Sequence, residues 1–271
     1  MRNVTCYEAL LEAWKKASIR RGFRFREVPC DTGDRALMLV EFGPPSAAVV
    51  HITSGVHGDE PAGPWALLSS VEAGLLDATF SYRLWPCTNP TGYRAGTRVN
   101  ADGIDVNRSF SDEKSSPESR AMMAENRDCR FALAMDLHED FEADGFYCYE
   151  PVVDGRAPLS EGILEAIELA GFPLQSLDHL FDLGYPRDPR KADQLRTLER
   201  GRVLVNAGAE TRFFAGLPLS LYLLRSATGR YITAETPRRR SWEDRIAMHR
   251  LVVTTALAGA KSLSAKARPH A

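Results

Sequence analysis

The stretch Ala47-Ala48-Val49-Val50-His51-Ile52-Thr53-Ser54-Gly55-Val56-His57-Gly58-Asp59-Glu60-Pro61 decides how this chain is read. Its first half, Ala47–Thr53, is a short β-branched apolar run, the composition of a strand. Gly55 and Gly58 then allow a tight backbone turn that throws His57 and Glu60 to one side. Glu60-Pro61 opens a helix, with Pro at the first helical position and Trp65, Leu67, Leu68 and Val71 behind it. Strand, glycine turn and helix in succession are the repeating unit of an α/β sheet.

The same alternation continues outward in both directions. Leu10, Leu11, Trp14 and Ala17 fall at helical spacing within residues 7–19. Strand patterns occupy residues 23–29, 36–42, 82–87, 130–137, 145–149, 202–206, 219–224 and 231–234. Helical patterns occupy 159–170 and 241–258, the second with Ser241 as N-cap and Glu243 and Asp244 in its first turn. Residues 172–200 are rich in Pro, Asp and Arg and read as an excursion from the core. The fold class predicted is three-layer α/β/α, a mixed, mostly parallel sheet with helices on both faces. Residues 1–260 are expected to form one catalytic domain and residues 261–271 a flexible tail.

Bulk properties narrow the setting. The 271 residues are 44% hydrophobic and 26% charged, enough for a sizeable core. A formal net charge of -2 gives no general attraction to nucleic acid or an anionic membrane, so neither is expected as a partner. Arg238-Arg239-Arg240 is a local basic run of the kind usual at a solvated loop or helix start. Five scattered cysteines without a CxxC pair argue for reduced thiols and a cytoplasmic protein. The N-terminal residues lack an uninterrupted apolar segment, and no run of eighteen apolar residues occurs anywhere.

The chemistry starts from His57 and Glu60, read with His138 far downstream. Two nearby donors and one distant one, imidazole and carboxylate, form the ligand pattern of a catalytic zinc site with one position left open. One Zn2+ per chain is expected. His57, His138 and Glu235 each fall just after a predicted strand, where open α/β sheets carry their sites. Between the donors lie Asn89-Pro90-Thr91-Gly92, Thr97-Arg98 and Gly103-Ile104-Asp105-Val106-Asn107-Arg108. Arg108 offers a planar charged fork suited to a carboxylate, and Asn107 an amide donor beside it. The blander alternative pairs Arg108 with Asp105 or Asp102 to shape the loop. Asp136, two residues before His138, either orients that imidazole or caps the strand end. Glu139-Asp140 are pocket carboxylates or a solvated turn. His51 reads as a packed side chain, His249 as a residue of the closing helix, His270 as part of the tail, and His179 as a solvent-loop residue with the substrate rim as the alternative.

These residues, in this order, resemble the zinc metallocarboxypeptidase family. Its pattern of HxxE, NPxG, an Arg, a G-[IV]-D-x-NR segment, a distant His and a late Glu is matched across residues 50–237. The succinylglutamate desuccinylase and aspartoacylase branch shares most of it. The resemblance implies His57, Glu60 and His138 as zinc ligands and Glu235 as general base and acid. It further implies Asn107 and Arg108 as holders of a substrate carboxylate and Arg98 as the oxyanion stabiliser. For the family's substrate-contacting tyrosine, Tyr222, Tyr185 and Tyr231 stand as candidates.

The function expected is a zinc-dependent metallocarboxypeptidase that releases a C-terminal amino acid from a peptide by zinc-activated water. The alternatives are an N-acyl amino acid deacylase and a non-catalytic zinc-dependent peptide-binding protein. The partner in each case is a peptide or acyl-amino acid with a free carboxylate. A homo-oligomer stays open. The resemblance implies a specificity pocket between about residues 205 and 230, where Arg212, Arg225 and Arg230 are read as surface arginines, the alternative being that they meet an acidic side chain of the substrate.

Overall fold

The computed structural model describes residues 5–31, 35–151, 157–176, 196–205 and 216–266. Its strands are β1 (Arg24–Val28), β2 (Leu37–Phe42), β3 (Val49–Ser54), β4 (Ser81–Trp85), β5 (Leu133–Asp140), β6 (Tyr147–Pro151), β7 (Arg196–Glu199), β8 (Arg202–Val205) and β9 (Tyr231–Pro237). They form one sheet in the order β1-β2-β4-β3-β5-β9-β6-β8-β7. The centre, β4-β3-β5-β9, is parallel throughout, and β6 runs parallel to β8. The remaining neighbours are antiparallel, so among the described residues the two kinds of pairing are equal in number rather than mostly parallel. Antiparallel pairs close both edges, and β2 with β4 and β9 with β6 add two more inside the sheet.

The helices are α1 (Tyr7–Arg21), α2 (Ala62–Glu72), α3 (Pro90–Ala95), α4 (Pro117–Asn126), α5 (Ser160–Leu169), α6 (Leu219–Ser226) and α7 (Trp242–Lys266). The continuous apolar run of β2 shows why helices cover both faces. Met38 and Val40 join the core under α1, α2, α5 and α7. Leu37 and Leu39 join a second core with Met122 of α4 and Leu219 and Leu223 of α6. All four β2 side chains are fully buried, as a strand sandwiched between helix layers requires. The three-layer α/β/α expectation therefore holds.

Several elements differ from the pattern reading. Residues 219–224 form a helix, not a strand. Leu219 and Leu223 face the second core while Leu221 and Leu224 line a cleft, so α6 is apolar on two sides and mimics strand alternation. The closing helix runs to Lys266, beyond the 241–258 expected and into the segment read as tail, with Ser241 Oγ accepting from Asp244 N–H at 3.1 Å. The helices α3 and α4 were not predicted, although Ser116 Oγ capping Ser119 N–H and Pro117 at the first turn are legible start signals for α4. Within the Pro-rich stretch, Arg196–Glu199 is an edge strand. His179, Tyr185, Arg212 and His270 lie outside the described residues.

Candidate metal centre and cleft

The site lies at the carboxyl ends of β3, β5 and β9. After β3, Gly55 takes φ +61°, a conformation costly for any side chain, and the chain turns outward. Gly58 then packs on the backbone of Gly92-Tyr93. A Cβ at Gly58 would lie 1.9 Å from the Gly92 carbonyl carbon, so no larger residue fits. The Asn89-Pro90-Thr91-Gly92 segment is pinned beneath it by Asn89 N–H donating to Gly55 O at 2.9 Å and by Asn89 Oδ1 accepting from Gly92 N–H at 2.9 Å. The HGDE and NPTG motifs are therefore two halves of one backbone junction.

That junction delivers His57 and Glu60 to His138. His57 Nδ1 lies 2.6 Å from Glu60 Oε1, and His138 Nδ1 lies 2.9 Å from Glu60 Oε2. All three side chains are buried, and one donor atom from each falls within 4.8 Å of the others. Each imidazole turns Nδ1 to the shared carboxylate and Nε2 to a carboxylate behind it. His138 Nε2 meets Asp136 Oδ2 at 2.9 Å, and His57 Nε2 faces Asp105 Oδ1 at 3.4 Å. The Asp136 question is thus settled in favour of the imidazole. Burial alone would raise the Glu60 carboxyl, but the two imidazoles hold it well below the usual range. A compact, buried set of two imidazole nitrogens and a carboxylate, each ring backed by a second carboxylate, fits a divalent cation of the zinc type.

Glu235 stands beside this cluster by strand register. His138 and Glu235 are direct partners across β5 and β9, and Tyr147 is the partner of Glu235 across β6. His138 and Glu235 both lie within the final residues of their strands; of the three residues expected just past a strand, only His57 is. Glu235 is partly open to the cleft. Burial pushes its carboxyl well above the usual range; Glu60, Asp140 and Asp136 add to this and His138 opposes it. A dication at the cluster would act in the opposite direction.

All seven predicted site residues, His57, Glu60, Arg98, Asn107, Arg108, His138 and Glu235, line one cleft of about 420 Å³. Arg98 sits half-exposed at its mouth, with Nη1 3.3 Å from His57 Nδ1. Its Nε and Nη2 fork onto Asp105 Oδ2, each at 3.1 Å. Asp102 pairs with Arg35 and Asp105 with Arg98, and the charge of Arg108 also acts on the Asp105 carboxyl. Asn107 Oδ1 accepts from Leu219 N–H at 3.0 Å, which caps α6 and leaves the Asn107 NH2 as donor. Among the tyrosine candidates, Tyr231 lines the cleft, whereas Tyr222 stacks on Phe110 at 6.0 Å between ring centres.

Three further residues belong to the site: the sequence offered Asp105 only as a partner for Arg108, left Glu139 open and did not single out Tyr147. Asp105 links His57 to Arg98, and its signal was its place two residues before Asn107. Tyr147 lines the cleft and donates to Asp140 Oδ2 at 2.7 Å. Glu139 belongs to no solvated turn: it is buried, bonded to Ala62 N–H and paired with Arg245. His51 is packed as expected, between Thr53 and Asn126, and His249 lies in the closing helix as expected, buried against Thr236.

This sheet and its carboxyl-end cluster define a carboxypeptidase-like α/β fold. Residues 46–179 match the family model of the succinylglutamate desuccinylase/aspartoacylase catalytic domain. A solved structure designated a metallopeptidase, from Shewanella denitrificans, is 21% identical with a TM-score of 0.73, covering 94% of this chain and 91% of that one. A metallo-carboxypeptidase structure from Burkholderia cenocepacia is 15% identical with a TM-score of 0.66, covering 94% and 69%. Carboxypeptidase SOL1 of Arabidopsis thaliana is 31% identical over 31% of this chain and 21% of its own length. The chain thus spans about a fifth of the length of the curated relative it matches. The chain is thus similar in sequence to the succinylglutamate desuccinylase/aspartoacylase catalytic domain over just under half of its length, and it shares the fold of the metallopeptidase and metallo-carboxypeptidase structures. Among the described residues no helix is long and apolar enough to cross a membrane, and all five cysteines are free thiols.

Proposed function

We propose that the protein is a zinc-dependent hydrolase, a metallocarboxypeptidase that removes a C-terminal amino acid from a peptide. One observation carries this reading: a single cleft holds the His57-Glu60-His138 donor set, the adjoining Glu235 carboxylate and the Arg98 and Arg108 guanidiniums. When bound, zinc supplies Lewis acidity and a water nucleophile at neutral pH.

The remaining chemistry belongs to the chain. Arg108 and the Asn107 NH2 bind the terminal carboxylate of the substrate and set its register in the cleft. Arg98, aimed by Asp105, places positive charge where the scissile carbonyl oxygen gains negative charge. Glu235 takes a proton and returns it to the leaving nitrogen. Its position opposite His138 keeps that proton transfer beside the donor set.

The family match over residues 46–179 supports a second reading, removal of an acyl group from an N-acyl amino acid. The same residues serve both, because both substrates present a carboxylate near an amide. The test is the zinc-loaded protein assayed against blocked dipeptides and N-acyl amino acids, with product amino acids quantified by mass spectrometry. Release of C-terminal residues supports the peptidase, and release from N-acyl amino acids alone supports the deacylase. Stoichiometric zinc with no turnover on either panel leaves the non-catalytic binding protein.

A further inference from the structure

Glu139 follows His138 on β5, so its side chain leaves the opposite face of the strand and enters the helix layer. There its Oε2 accepts from Ala62 N–H at 2.8 Å, at the first residue of α2. Its Oε1 meets Arg245 Nη1 at 2.5 Å, from the first turn of α7. Its own backbone N–H donates to Glu60 Oε2 at 3.2 Å. The Glu139 side chain is fully buried and that of Arg245 nearly so, with the guanidinium 5.2 Å from the Trp242 ring centre. One residue therefore touches three elements at once: the start of α2 two residues after Glu60, the end of β5 one residue after His138, and α7.

An ion pair so deeply buried is a poor source of stability compared with apolar packing. Its position is also electrostatically awkward, beside the Glu60 carboxylate. What it does supply is a fixed distance between two segments 78 residues apart in sequence. We propose that Glu139, held by Arg245, is a positioning residue that sets Glu60 and His138 at the separation a metal ion requires. The inference rests on the metal-centre reading given above.

The test measures zinc affinity of the full-length, metal-stripped protein by competition with a chromophoric chelator. Melting of the metal-free form is recorded alongside. Glu139→Ala is expected to weaken zinc binding by roughly 10–100-fold, the effect typical of losing a partner behind the ligands. Glu139→Gln keeps an acceptor for Ala62 N–H and is expected to recover most of the affinity. Arg245→Met is expected to add nothing on top of Glu139→Ala, because both act through one carboxylate. Zinc affinity in Glu139→Ala equal to wild type overturns the proposal. So does a loss that merely tracks the fall in metal-free melting and is not rescued by Glu139→Gln, and so do additive losses in the double variant. Wild-type protein that fails to bind zinc, as His138→Ala is expected to, overturns the metal-centre reading itself and the inference with it.

Discussion

Replacing Asp105 by Asn separates the work of this residue in the site from its work in the fold. Asp105 faces His57 Nε2 at 3.4 Å, forks onto Arg98 at 3.1 Å and accepts from Asn107 N–H at 2.9 Å. Asn preserves the last contact, since its carbonyl oxygen still accepts. It removes the charge that orients His57 and aims Arg98. The His57 contact is long, so the effect on metal affinity is taken at the low end of the outer-ligand range, about tenfold or ~1.4 kcal/mol. The stability effect is smaller: the Arg98 side chain is 48% exposed, and such pairs contribute about 0.2–1 kcal/mol after solvent screening. At about 2–4 °C per kcal/mol, the metal-free protein is expected to melt no more than ~4 °C lower. Zinc titration against a competing chelator and thermal melting of the metal-free form read the two effects separately. Unchanged zinc affinity would refute the orienting role of Asp105. A large drop in metal-free melting with a matching affinity loss would assign the residue to loop stability instead.

Three further outcomes are expected. His138→Ala should lose zinc on gel filtration, measured by elemental analysis; full occupancy would remove His138 from the ligand set. Glu235→Gln should keep zinc but lose roughly 10²–10⁴-fold in turnover, the usual contribution of a general acid–base, and wild-type rates would place the base elsewhere. His51 concerns pH and stability. Burial, followed by the charge of Arg83, lowers its pKa from 6.5 to about 3, so the folded protein keeps it neutral while the unfolded chain protonates below about 6.5. The contribution of His51 is therefore present above that pH and is lost as pH falls towards 3. Chemical unfolding of wild type and His51→Gln at a series of pH values should show the difference between them shrinking by about 1.4 kcal/mol per pH unit inside the window. A pH-independent difference would mean that His51 takes up its proton at the same pH in the fold as in the unfolded chain.

Legibility in the sequence followed the range of the interactions involved. Gly55 was readable as a turn because its positive φ is a local demand, whereas the demand at Gly58 comes from the distant backbone of Gly92. Strand β1 was readable by its alternation, and β2 and β3 by short apolar runs. Residues 219–226 misled, because a helix buried on two sides carries the alternation of a strand, and its cap comes from Asn107 across 112 positions of chain. Glu139 stayed open for the same reason: nothing near it in sequence announces Arg245 or the first turn of α2.

The amino-acid sequence by itself determined the chemical inventory, namely two imidazoles and a carboxylate as donors, a further carboxylate, and the arginines of the D-x-NR region. Side-chain chemistry and local turns set these, and both are written in consecutive residues. Only the tertiary structure decided that His138 lies opposite Glu235, that Asp136 and Asp105 stand behind the two imidazoles, and that Glu139 and Arg245 tie the donor segments together. Those relations depend on which strands become neighbours and in what register, and register is fixed by packing across the whole sheet.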